Sequence, residues 1–206
     1  MPIAPAATVP EILLHAANPA TGLWRLAKFG RDGAESPPYW AYPWPGGAAL
    51  ARYFLARPEA VQGRRVLDLG AGSGIVGIAA AKSGAREVIA AEVDCNAIAA
   101  LRLNAEANGV AIRVVAEDMT CGEPPAVDLV AVGDLFYERE LATRVTKFLD
   151  RCLAGRLEIL VGDIGRVYLP RDRLRLIAEY PARDFGDGDN TALKSAGIYA
   201  FLPPSG

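Results

Sequence analysis

The sequence predicts an α/β fold with a mostly parallel sheet and helices on both faces. Three observations predict it. Short apolar runs with strand texture recur at residues 65–69, 87–91, 112–116, 128–132 and 157–161. Segments with helical apolar spacing separate them. A glycine-rich turn follows the first run. Strands alternating with helices become parallel neighbours, because each crossover returns the chain to the same end of the sheet.

The elements follow in order. Residues 1–45 are proline-rich, show little periodicity and are expected to form an N-terminal arm with one short helix. Within the arm, Pro37–Gly47 (PPYWAYPWPGG) sets four aromatics among four prolines and two glycines. Residues 46–206 form the second unit. Ala48–Arg57 has helical apolar spacing. Arg65–Leu69 is a strand, and the Ala-rich Ile75–Lys82 is a helix stopped at Gly84. After the strand Glu87–Ala91, Asp94 N-caps a helix that runs to Asn108 and stops at Gly109. Strands are expected at Ile112–Ala116 and Asp128–Val132, and then a helix over Glu138–Leu153. Leu157–Val161 is a strand, Leu174–Tyr180 a helix, and Ile198–Leu202 the last strand.

Composition excludes several classes. The chain has 206 residues, 51% of them apolar, and a formal charge of −2. That charge predicts no broad attraction to nucleic acid. The three cysteines are dispersed and form no CxxC pair, which argues against a disulfide framework or a metal site. No basic and apolar leader precedes the arm, and no apolar run reaches the length of a membrane helix. The expectation is a soluble cytoplasmic protein without membrane or nucleic-acid partners. His15 is the single histidine; it lies in the least patterned region and reads as a surface residue.

The chemistry centres on Val66–Gly77 (VLDLGAGSGIVG). Gly70, Gly72 and Gly74 allow a sharp turn and close approach of a ligand to the backbone. The following helix start offers unpaired N–H groups. Glu92, at the end of the next strand, can accept from both hydroxyls of a ribose. Gly72, Gly74 and Gly77 also satisfy the dinucleotide pattern GxGxxG, so an NAD-dependent dehydrogenase is an alternative. Asp68 discriminates. A carboxylate two residues before the first glycine would repel a pyrophosphate. It suits the ammonium of S-adenosylmethionine, directly or through water. Asp118 lies where such a cofactor places its adenine; it reads equally as a turn or cap aspartate.

These residues resemble the class I methyltransferases, whose product is S-adenosylhomocysteine. Within that Rossmann-like class, three segments are similar to the electron transfer flavoprotein beta-subunit lysine methyltransferases and their bacterial relatives. They are YWAYPWPGGAALARYFL (39–55), LDLGAGSGIVGIAAAKSGA (67–85) and VAVGDLFYERELA (130–142). ILVGDIGRVYLP (159–170) adds a fourth. The resemblance implies a seven-stranded sheet with a last antiparallel strand, cofactor contact by Trp44, and a protein lysine as acceptor, on the electron transfer flavoprotein beta subunit. The ribosomal protein L11 methyltransferases have a similar loop and are an alternative, as is a nicotinamide-like small-molecule N-methyltransferase.

A lysine has a reference pKa of about 10.4 and must lose a proton before it attacks a methyl group. Asp134, just past the fourth strand, can bind the incoming ammonium and steer its lone pair. It can also be read as an N-cap. Phe136 and Tyr137 can wall the acceptor channel, with cation–π attraction for the lysine. Tyr137 is the second catalytic candidate. Trp40 and Tyr42 read as packing of the arm.

Overall fold

A computed structural model of the chain describes residues 2–15, 38–182 and 194–204. Nine strands and four α-helices occur among these residues. The arm begins with a hairpin, β1 (Ile3–Ala6) and β2 (Val9–His15). A single 3-10 turn, Tyr39–Ala41, precedes α1 (Pro45–Ala56). The hairpin was not anticipated, and residues 16–37 of the arm lie outside the described residues. The hairpin docks through α3: Leu13 exchanges two backbone hydrogen bonds with the Asn108 amide, and the His15 N–H donates to Asn104 Oδ1.

The alternating elements are β3 (Arg65–Leu69), α2 (Ile75–Lys82), β4 (Glu87–Ala91), α3 (Cys95–Ala107), β5 (Arg113–Val115), β6 (Leu129–Gly133), α4 (Arg139–Ala154) and β7 (Glu158–Asp163). The chain ends with β8 (Leu174–Ala182) and β9 (Lys194–Phe201). Seven strands form one sheet in the order β5-β4-β3-β6-β7-β9-β8. β3 to β7 run parallel, and β9 is antiparallel to both β7 and β8. This is the expected doubly covered α/β sheet with its last strand reversed.

Two apolar layers hold it. On one face Val66, Val88, Leu129 and Ala131 pack under α1 and α2, with Ile12 and Leu14 of the hairpin. Leu101 of α3 covers Ala90 on that face. On the other face Leu67, Leu69, Val130 and Val132 meet Val145, Phe148, Leu149 and Cys152 of α4. Those four α4 positions recur at three- and four-residue spacing, so one stripe of the helix is buried while Thr143, Arg144 and Lys147 stay exposed. Fully burying side chains of this size stabilises by roughly 1.5–3 kcal/mol each.

Leu174–Tyr180, expected as a helix, is the edge strand β8. It pairs with β9 from Leu174↔Phe201 to Ala182↔Lys194, and its register shifts between Leu176 and Ala178. The shift leaves Ile177 as an extra residue. It breaks the two-residue alternation that marks a strand and leaves a pattern closer to a helix. Pro181 is tolerated because β8 lies at the sheet edge.

Candidate functional site

The strand ends carry the site. β3 stops at Leu69 because Gly70 takes φ 68°, and Gly72 and Gly74 follow at 52° and 82°. Only glycine adopts such angles without strain. Gly74 becomes the left-handed N-cap of α2. Asp68 points to the α2 face, where its Oδ2 accepts from the Gly77 N–H at 2.8 Å. It is 1% exposed and does not line the cavity described below. Its carboxylate therefore ties the end of β3 to the first turn of α2 from behind the loop. Burial lifts its pKa to about 7, against the Gly77 N–H and aided by the charge of Glu92.

Glu92 follows β4. Its Oε2 accepts from the Gly72 N–H, and its Oε1 accepts from Val93 and Asp94 N–H groups. A carboxylate offers about four acceptor positions, so Oε2 keeps room for a further donor from the cavity. Asp94 caps α3 by accepting from Asn96 and Ala97.

Two Gly-Asp pairs end β6 and β7. Gly133 and Gly162 are partners in the register. The N-terminus of α1 presses on both. A Cβ on Gly162 would lie 2.2 Å from Gly46 O, and one on Gly133 would lie 2.9 Å from Gly47 Cα. Proline at N1 and two glycines thus let a helix start meet two strand ends backbone to backbone. Asp134 takes φ 58°, which aspartate tolerates better than most side chains. Its Oδ2 accepts from the Gly47 N–H at 2.8 Å, and its Oδ1 accepts from Arg166 Nη2 at 2.9 Å. It satisfies the start of α1, not of α4, whose N-cap is Glu138. Asp134 is 8% exposed. Burial lifts its pKa to about 6, against the pull of Arg166 and the Gly47 N–H.

Asp163 Oδ1 accepts from the N–H groups of Gly165 and Arg166. Burial raises its pKa as well. Arg166 reaches between the two aspartates, and its guanidinium sits 5.6 Å from the Trp44 ring centroid.

These groups surround one cavity of about 540 Å³ at the carboxyl ends of β3, β4 and β6. That is the size of a small-molecule site, at the point where the strand order reverses. Gly70, Gly72 and Glu92 line it after β3 and β4, Gly133, Asp134 and Tyr137 line it at and after the end of β6, and Trp44 and Arg166 also contribute to its wall. Tyr137 is 43% exposed, and its ring stands 5.4 Å from Tyr39, which in turn packs 5.7 Å from Trp44. Partial burial raises its pKa, so the phenol stays neutral. Trp44 donates its Nε1–H to Tyr39 O. Tyr42 is buried, whereas Trp40 lines the cavity. Phe136 is fully buried and belongs to the α4 layer rather than to any channel. Asp118 lines the cavity while capping the turn 119–121 through Thr120 N–H and Oγ. Against burial, those bonds and Arg144 hold its carboxyl below the ordinary range.

The cavity thus gathers Trp44, Gly70, Gly72, Glu92, Asp118, Asp134 and Tyr137. It leaves Asp68 and Gly74 behind the loop wall. Arg166 and Asp163 were not singled out from the sequence, although the repeated Gly-Asp at 133–134 and 162–163 was a visible signal.

A family model for ribosomal protein L11 methyltransferase matches residues 53–132. The electron transfer flavoprotein beta subunit lysine methyltransferase of Homo sapiens is 35% identical over 201 residues, covering 94% of this chain and 76% of that protein. Two solved structures share the fold. The ribosomal protein L11 methylase of Lactobacillus delbrueckii subsp. bulgaricus has a TM-score of 0.54 at 21% identity, covering 74% of this chain and 76% of its own. The Pyrococcus abyssi tRNA (uracil-54, C5)-methyltransferase, in complex with S-adenosyl-L-homocysteine, has a TM-score of 0.54 at 24% identity, covering 76% and 38%. At 35% identity over 94% of its length, the chain belongs to the electron transfer flavoprotein beta subunit lysine methyltransferase family and is an S-adenosylmethionine-dependent methyltransferase.

Proposed function

We propose that this chain transfers a methyl group from S-adenosylmethionine to a lysine side chain of the electron transfer flavoprotein beta subunit. The observation that carries the reading is a single cavity with Gly72 and Glu92 on one side and Asp134 and Tyr137 on the other. The residues fit the cofactor. Gly72 presents bare backbone to the cavity, Glu92 Oε2 retains acceptor capacity for a ribose hydroxyl, and Trp44 offers an aromatic face. Asp118 is the acceptor for an adenine amine, within the limits of its capping bonds. Asp68 and Gly74 act indirectly, by setting the loop.

S-adenosylmethionine supplies a sulfonium-activated methyl group for direct displacement by an amine. The chain's own residues align and dry the acceptor. Asp134 attracts the ammonium form and orients its nitrogen. With a pKa of about 6 it is charged at neutral pH but too weak a base to keep the lysine proton, so that proton leaves to water. The ring of Tyr137 shields the nitrogen and holds the cation before it deprotonates.

The match to the L11 methyltransferase model ends at residue 132, before Asp134. Its matched residues include Gly70, Gly72, Glu92 and Asp118 of the proposed cofactor side. Incubation with labelled S-adenosylmethionine and each acceptor protein tests the choice. Label in the flavoprotein subunit supports the reading; label in L11 alone replaces it. No helix among the described residues is long and apolar enough to cross a membrane. A cytoplasmic setting, where such acceptors are made, is part of the same proposal.

A further inference from the structure

Two buried polar atoms in the site lack a hydrogen-bond partner: Asp163 Oδ2 and Arg166 Nε. They face each other at 3.8 Å. That is within ion-pair reach but too long for a hydrogen bond. Asp163 is 0% exposed. Leaving such groups unsatisfied is costly, and the cost is greatest for charged ones. The same guanidinium meanwhile spends its Nη2 on Asp134 Oδ1 at 2.9 Å. Two buried carboxylates therefore share one cation, and the cation is fully bonded to only one of them.

We propose that Arg166 is an exchangeable counter-ion, and that Asp163 is the positioning residue that draws it off Asp134 when the acceptor ammonium enters. The inference rests on the reading of Asp134 as the ammonium-binding carboxylate. In the structure Arg166 holds Asp134 Oδ1 and compensates the charge that a lysine ammonium would meet there. A shift of about 1 Å brings Nε into hydrogen-bond distance of Asp163 Oδ2. That satisfies both unpartnered atoms and frees Asp134 Oδ1. The backbone N–H groups of Gly165 and Arg166 hold Asp163 Oδ1 in place, so the receiving carboxylate is preset. The Trp44 ring under the guanidinium gives it a surface to slide on while it remains a cation. No covalent step is involved; one cation replaces another at Asp134, and the net charge of the trio with its lysine stays balanced. The exchange also selects the acceptor. A neutral or anionic group cannot displace Arg166 from Asp134, whereas an ammonium can.

The test is steady-state kinetics on the flavoprotein beta subunit, or on whichever protein the unaltered enzyme labels, with S-adenosylhomocysteine affinity as the check on folding. Asp163→Asn keeps the shape and removes the pull on Arg166. It is expected to raise the acceptor KM about tenfold, the worth of one charge-assisted hydrogen bond, with kcat and S-adenosylhomocysteine affinity little changed. Arg166→Lys keeps the charge but lacks the Nε that faces Asp163, and is expected to raise KM similarly; it covers the case in which Asp163→Asn does not fold. In an Arg166→Gln background, Asp163→Asn should have no further effect, because no cation remains to be drawn off. An unchanged KM in Asp163→Asn or Arg166→Lys overturns the proposal, as does full additivity of Asp163→Asn with Arg166→Gln. Asp134→Asn separates the two levels. If it leaves the acceptor KM and kcat intact, the reading of Asp134 is wrong. If it impairs them while Asp163→Asn does not, only the exchange is wrong.

Discussion

The Gly47 N–H donates a 2.8 Å hydrogen bond to Asp134 Oδ2, across 87 residues of sequence. The bond joins the start of α1 to the end of β6. It places the positive end of a helix against a buried carboxylate. The aromatic-proline segment is thereby fixed over the cavity, because Trp44 is the N-cap of the same helix.

This junction has no room for a methyl group. Gly46→Ala would put Cβ 2.1 Å from Gly162 O, backbone against backbone. Neither side can yield as a flexible side chain would. Chemical denaturation should show a loss of about 3 kcal/mol or more, within the range for severe overpacking. Gly162→Ala should do the same, whereas Gly63→Ala has open space and pays only for its φ of 71°.

Asp134 should set the acid limb of the activity profile. Its pKa is pushed up to about 6, so it loses its charge, and its hold on an ammonium, as pH falls through that value. Activity of the unaltered enzyme should decline below pH 6. In Asp134→Asn the rate should fall at least tenfold at neutral pH and that limb should disappear. Rate measurements from about pH 5 to about pH 8 check it.

Glu92 should govern cofactor affinity. Glu92→Ala removes the acceptor for Gly72, Val93 and Asp94 N–H groups together with the one kept for the ligand. Titration calorimetry with S-adenosylhomocysteine should show affinity weakened by about 10- to 100-fold, the range for losing one or two hydrogen bonds to a charged group.

Asp68 should make the protein less stable as pH rises. Its folded pKa, about 7, lies above the ordinary aspartate value of 3.8. The folded state therefore holds the proton more tightly, and stability falls between about pH 4 and pH 7. Asp68→Asn titrates in neither state and can still accept from Gly77. It should be more stable than the unaltered chain above pH 7, by on the order of 2–4 kcal/mol. Urea midpoints measured at pH 5 and pH 8 read the difference. Asp68→Ala loses the Gly77 bond and should weaken S-adenosylhomocysteine binding by loosening the loop.

The alternating part of the chain was legible because its elements are bounded by residues that must turn or cap: Gly70 after β3, Asp94 before α3 and Gly109 after α3. The hairpin β1–β2 was not, since its docking partners, Asn104 and Asn108, lie about 90 residues away. The bulge at Ile177 hid β8 by breaking its alternation. In the site, Glu92 and Asp134 could be read from their places at strand ends. Arg166 could not, because it reaches the cavity from a loop and is held there by aspartates on two different strand ends. Asp68 showed the opposite difficulty: its spacing to the glycines marked it as important but did not reveal which side of the loop it faces.

Peptide mass spectrometry of the electron transfer flavoprotein beta subunit tests the central claim most directly. The subunit is incubated with S-adenosylmethionine and either the unaltered enzyme or Asp134→Asn. The expected result is methylation confined to lysine with the unaltered enzyme, and its loss in the variant although S-adenosylhomocysteine still binds. Methyl groups on another residue type, or undiminished lysine methylation by Asp134→Asn, would contradict the account.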